Sequence, residues 1–172
     1  MIGFAALSGS GQIDASKTLY AGSRFIWLST LVGGFMFGYG VSEFTSSGTA
    51  VPRCLTFSHA GVEAIATYMP LQMYQWHHVA VVRQNTGTEG AQLYVNGYLA
   101  HRFTCTSNIT AASNPLYLFQ GRSPTSANHP TFLGKMSNLR FSNVARYTPG
   151  ATVLGGRSFI PQWGPFDSDA NT

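Results

Sequence analysis

Gln75-Trp76-His77-His78-Val79-Ala80-Val81-Val82-Arg83, followed by Gln92-Leu93-Tyr94-Val95-Asn96-Gly97, decides how this chain folds. Successive residues of a strand point to opposite faces, so Trp76, His78, Ala80 and Val82 share one face while His77, Val79, Val81 and Arg83 share the other. Both sets carry apolar groups, which predicts a strand well inside a sheet. Asn96-Gly97 is the strongest local turn signal, because both central positions of a type I′ turn need positive φ. Tyr98 to Phe103 then completes a hairpin with Ala91 to Val95, and the polar run 85–90 links that hairpin to the preceding strand.

Outward from this centre the pattern stays that of short strands. Phe25 to Leu28 and Gly34 to Tyr39 are early strand candidates, and Leu55 to Phe57 pairs with Ala64 to Tyr68 across His59-Ala60-Gly61. Pro70, which has no amide hydrogen, ends that ladder. Leu116 to Phe119, Phe132 to Met136 and Ser137 to Phe141 extend the series, and Val144 to Tyr147 reads as one short helical turn before Pro149-Gly150. Almost no segment carries a long apolar stripe at helical spacing, whereas turn residues recur between short β-rich runs. This predicts an all-β sandwich or barrel. One domain over 1–160 is expected, with 1–23 either an opening strand or an arm reaching a neighbour, and 161–172 a C-terminal tail.

The composition narrows the function. Lys and Arg total 10 and Asp and Glu total 6 in 172 residues, so only 9% of the chain is charged. The usual share is about a quarter. A surface covered by Ser, Thr, Asn, Gln and backbone suits other surfaces or neutral polar ligands. The basic residues are scattered rather than gathered into a phosphate-tracking stripe, so no specific nucleic acid is expected. The apolar interval 25–41 is broken by glycines and hydroxyl residues, and the first 11 residues make a poor secretory leader, so no membrane partner is expected. Without such a leader, the glycosylation match Asn108-Ile109-Thr110 has little force.

Cys54 and Cys105 are the only cysteines. Two thiols cannot complete a zinc site; they are read as buried and free, with a disulfide left open. His77 and His78 point to opposite faces and cannot easily converge on a metal, and His78 is expected to support the core beside Trp76. No metal or other cofactor is expected, and the many serines give no nucleophile motif for a Ser-His-acid triad.

The motifs Trp76 to Arg83, Leu93-Tyr94-Val95-Asn96-Gly97, and Phe132-Leu133-Gly134-Lys135-Met136-Ser137-Asn138-Leu139-Arg140-Phe141 together resemble the concanavalin A-like sandwich superfamily, especially laminin-G-like and pentraxin-like domains. The resemblance covers residues 64 to 148 and implies a jelly-roll sandwich of two antiparallel sheets. Asn143-Val144-Ala145-Arg146-Tyr147-Thr148 resembles the ending of such domains in bacteriophage tail and other virion proteins. The resemblance thus implies a noncatalytic structural or decoration protein located in the virion, in contact with other virion proteins and with copies of itself.

Glycoside-hydrolase relatives of that fold carry two closely placed carboxylates, as either hydrolytic geometry demands. Asp14, Glu43, Glu63, Glu89, Asp167 and Asp169 offer no such strand motif, so no enzyme is expected. Calcium, frequent in laminin-G-like domains, would need converging oxygens; Asn85, Glu89, Asn96 and Asn128 are available without any spacing that unites them. The alternative function is carbohydrate recognition, with exposed aromatics stacking on sugars and amides reading hydroxyls. The candidate ligand or partner contacts are Tyr94, Tyr98, Tyr117, Arg122, Asn128 and His129.

Overall fold

The computed structural model describes residues 5–6, 23–28, 35–41, 50–59, 62–72, 75–108, 116–118, 135–147, 153–162, 164–166 and 169. Among them are eleven strands and no helix: β1 (Ala5–Ala6), β2 (Ser23–Leu28), β3 (Phe35–Val41), β4 (Ala50–His59), β5 (Val62–Ala66), β6 (Trp76–His77), β7 (Val79–Arg83), β8 (Ala91–Val95), β9 (Tyr98–Phe103), β10 (Leu116–Leu118) and β11 (Lys135–Met136).

All pairings are antiparallel. One sheet has the order β10-β2-β3-β4-β5; the other consists of the ladders β11-β1-β6 and β7-β8-β9, which share the run from Trp76 to Arg83. In the first sheet Phe37 sits opposite Phe57, Phe57 opposite Ala64 and Leu55 opposite Ala66, so one face presents a continuous apolar surface. It packs on Val79, Ala91, Leu93, Val95, Ala100 and Phe103 of the second sheet. Phe57 and Phe103 meet across the layers with ring centroids 5.4 Å apart. Two sheets closing one apolar core is the sandwich solution to burying a single face of each.

Pro52 falls within β4 at a place where a proline does no harm. The β3 register jumps from Tyr39↔Leu55 to Gly40↔Val51, so Pro52 lies in the bulged interval that this ladder skips. Cys54 and Cys105 are both buried and are not joined to each other by a disulfide. Cys105 packs in the core with Leu55 and Phe57.

The hairpin β8–β9 follows the sequence expectation. Asn96 and Gly97 have φ of 53° and 82°, and Val95 pairs with Tyr98 across them. A Cβ on Gly97 would lie 2.1 Å from the Phe159 carbonyl oxygen, so this glycine serves both the turn and a close backbone approach. Asn96 contributes its side chain as well. Its Oδ1 accepts from the His78 backbone amide at 2.9 Å, and the Asn96 backbone N–H donates to the His78 carbonyl at 2.7 Å.

This bracket interrupts the strand at His78, and one burial expectation is corrected beside it. His78, Ala80 and Val82 are buried together as expected, but Trp76 is 45% exposed rather than core. Trp76 belongs to the ladder that pairs with Ala6, and it is not among the residues that Tyr147 and Phe159 cover.

The outer face of β7-β8-β9 is covered by the chain's own C-terminal segment. The segment 153–161 lies along the hairpin: Leu99 donates to the Gly156 carbonyl at 2.9 Å, Gly155 to the Leu99 carbonyl at 2.8 Å, and Ser158 to the Gly97 carbonyl at 2.9 Å. Tyr147 and Phe159 stack at 3.6 Å and cover Ala80, Val82, Tyr94 and Leu99. The stretch 137–141, expected as a strand, is irregular, and 144–147 forms a bend rather than a helical turn. Their side chains cap the layers instead of extending them.

His78 lies beneath this cover, with its ring edge-on to Phe159 at 5.6 Å and to Tyr147 at 6.1 Å. Neither ring nitrogen makes a hydrogen bond, and desolvation lowers its pKa to about 4. The unfolded chain therefore takes up this proton near pH 6.5 while the folded one refuses it until about pH 4. Stability is unaffected above that window and falls as pH drops through it, by about 3 kcal/mol at most.

Two outcomes follow. In urea unfolding measured from pH 7 to pH 4, His78→Phe should lose less stability than the wild type, with the gap opening between pH 6.5 and 4. Asn96→Gly keeps the turn but removes the bracket from a buried amide, and should lower unfolding free energy by about 1–3 kcal/mol in the same assay at pH 7.

Candidate functional site

Sealing of the outer face leaves the hairpin end of the sandwich as the place where polar and aromatic groups converge. β5 stops at Ala66, and the chain turns through Thr67 and Tyr68 to Pro70. Tyr68, expected to end a strand, is in this turn and is 62% exposed. Leu71, fully buried in the main core, pins the loop that carries it. A loop held by one apolar anchor presents its remaining side chains in fixed positions.

His77 provides the second fastening. Its Nε2–H donates to the Gln72 carbonyl at 2.8 Å, and its Nδ1 accepts from Asn96 Nδ2 at 3.3 Å. The tautomer follows from the network, because Asn96 Oδ1 is already accepting from the His78 amide and the Asn96 nitrogen must face His77. The buried imidazole thus ties the 67–72 segment to the hairpin turn, and both of its nitrogens are used in doing so.

Between these parts is an open bowl of about 710 Å³. It is lined by Tyr68, Gln72, Gln75, Asn96 and Tyr98, with Gly155 of the C-terminal segment in its wall. Gly155, at φ 78°, allows that segment to lie under the Tyr68 ring, since a Cβ there would come within 2.7 Å of Tyr68 Cε1. Tyr98 is half-buried and carries the Arg157 guanidinium 5.9 Å from its ring centroid. Asn96 spends its oxygen and one amide hydrogen on the two histidines, which leaves a second amide hydrogen at the bowl. Gln72 and Gln75 are exposed and bring further donors and acceptors. Two aromatic rings beside neutral amides can stack on a flat apolar face and read hydroxyl groups around it.

Of the six expected contact residues, Tyr98 lies in the bowl. Tyr94 does not: it is fully buried under Phe159, with rings 5.2 Å apart, and cannot meet a ligand. Burial pushes its phenol up, opposed by the Ser158 hydroxyl and the Arg102 charge. Tyr117 is on β10 opposite Trp27, and its side chain lies outside the described residues. Arg122, Asn128 and His129 are outside them altogether. Tyr68, Gln72 and Gln75 were missed. Their signal was a loop joining an aromatic to two amides beside a hairpin, which single-residue tests do not score.

Among the described residues, the carboxylates of Glu89 and Asp169 are engaged elsewhere. Glu89 faces Arg102 at 3.9 Å, and Asp169 bonds Arg140 at 3.0 Å and also pairs with Arg146, so the expected tail contributes an ion-paired carboxylate. Oxygens considered for calcium are likewise committed: Asn85 Oδ1 accepts from the Gly87 amide at 2.8 Å, and Asn96 Oδ1 from that of His78. Asn128 lies outside the described residues. Among the described residues no three His, Cys, Asp or Glu side chains group as metal ligands, and no helix is long and apolar enough to cross a membrane.

Comparison with curated proteins and with solved structures gave no match. A family model described as the concanavalin A-like lectin/glucanases superfamily, laminin-G type, matches residues 15–148. That match spans most of the chain, including the core strands, the His77–Asn96 bracket and the hairpin side of the bowl, and this protein belongs to the concanavalin A-like lectin/glucanases superfamily.

Proposed function

We propose that this chain is a noncatalytic recognition domain that binds neutral carbohydrate in the bowl between Tyr68 and Tyr98. The observation that carries this reading is the pairing of an exposed tyrosine with a second ring across a floor of neutral amides, on loops fixed by His77 and Leu71. A charge-poor surface supports it, since neutral hydroxyl-rich ligands need hydrogen bonds more than ion pairs. The noncatalytic part is supported by the ion pairs of Glu89 and Asp169, which hold both carboxylates against arginines rather than against a second acid.

A second reading is a structural or decoration subunit of a virion, located there through contacts with other virion proteins or copies of itself. Its supporting observation is the apolar exposure along the C-terminal segment, where Val153 and Ile160 are 67% and 76% exposed. Patches of this kind mark protein contacts. The two readings are compatible, because Val153 and Ile160 are not among the residues that line the bowl.

A screen of the protein against immobilised neutral oligosaccharides should give saturable binding that persists from low to high salt, because no ion pair is being screened. Tyr68→Ala should weaken the best binder at least about tenfold, or 1.4 kcal/mol, with little change in stability. Absence of saturable binding, or a Tyr68→Ala variant that binds like the wild type, would remove the carbohydrate reading.

A further inference from the structure

A second cavity opens at the other end of the same three strands. The bowl touches Val95, at the end of β8, whereas this cleft touches Ala91, at its beginning. Four residue steps along the strand separate them by roughly 14 Å. The cleft measures about 370 Å³, within the range of small-molecule pockets. Its floor is Phe57, Val81, Ala91 and Phe103, side chains of the main core reached from outside, and its wall is the irregular segment 141–146.

Two arginines border it, and they differ. Arg146 is matched by Asp169. Arg83 is half-buried and donates Nη1–H to a neutral acceptor, the Ser107 carbonyl, at 2.6 Å. A guanidinium has five N–H donors in a planar fork suited to carboxylates. The lining includes no Asp or Glu that could supply the opposite charge to Arg83 from within the cleft.

We propose that this cleft binds a free monocarboxylate with an apolar body, of the medium-chain fatty acid class. The chain lies on Phe57, Val81 and Phe103, and the carboxylate meets Arg83. Each half of the ligand answers one half of the site. An uncharged amphiphile would cover the floor but leave the arginine partly desolvated without a counter-charge. A small inorganic anion would meet the arginine and leave the apolar floor wet.

Sodium decanoate and decanol are the probes, each titrated below its aggregation limit into isotopically labelled protein and followed by amide shifts. Decanoate should produce saturable shifts at Val82, Arg83, Val144 and Ala145, and decanol should bind at least tenfold more weakly. Arg83→Met should reduce decanoate affinity at least tenfold, Arg83→Lys should retain most of it, and Ala145→Trp, a plug at an exposed position, should abolish binding of both probes. The proposal is overturned by absence of saturable shifts at these amides, by equal affinity for the two probes, or by undiminished decanoate binding in Arg83→Met. If loss of the Ser107 contact unfolds that variant, undiminished decanoate binding in folded Ala145→Trp overturns it equally.

Discussion

The rest of the structure depends on one side chain, the carboxamide of Asn96. It sits in a two-residue turn that demands positive φ, which asparagine tolerates better than most residues. From there its oxygen holds the His78 amide and its nitrogen meets His77. The same group therefore closes the hairpin, joins it to the strand that both ladders of the second sheet share, and secures the loop that presents Tyr68. Gly97 beside it admits the C-terminal backbone, whose Ser158 and Phe159 amides both reach the Gly97 carbonyl.

This local arrangement determines where recognition takes place. With the chain bound along β9 and the Tyr147–Phe159 stack over Tyr94, the outer face of β7-β8-β9 becomes a second buried layer. Every residue of β8 is consequently buried, on both faces. A buried face offers packing area but no access. The accessible chemistry is displaced to the strand ends: an aromatic and amide bowl near Val95, and an apolar cleft with an arginine near Ala91.

Sequence reasoning was most successful where the determinants are local. Period-two alternation placed β7, β8 and β9, and the Asn96-Gly97 dipeptide placed the turn, because both signals come from neighbouring residues. Trp76 and Tyr94 exchanged places relative to expectation for a nonlocal reason. Alternation tells which residues share a face, but the exposure of that face depends on what covers it. Tyr94 is covered by Phe159, 65 positions later in the sequence, whereas Trp76 is not among the residues that Phe159 and Tyr147 cover. Tyr98 was legible as a contact residue because it leaves the turn directly. Tyr68 was not, because its role depends on Leu71, His77 and Gly155 meeting around it in space.

The sealed outer face is the premise on which displacement of recognition to the strand ends rests, and native-state amide hydrogen exchange tests it most directly. The amides of Leu99, Gly155 and Ser158, which stitch the C-terminal segment to the hairpin, should exchange only through opening events as costly as those of the core amides in β8. If Gly155 and Ser158 instead exchange as fast as unprotected chain while β8 remains protected, the segment does not seal the face. The outer surface of the sheet, rather than the bowl, would then be the accessible site.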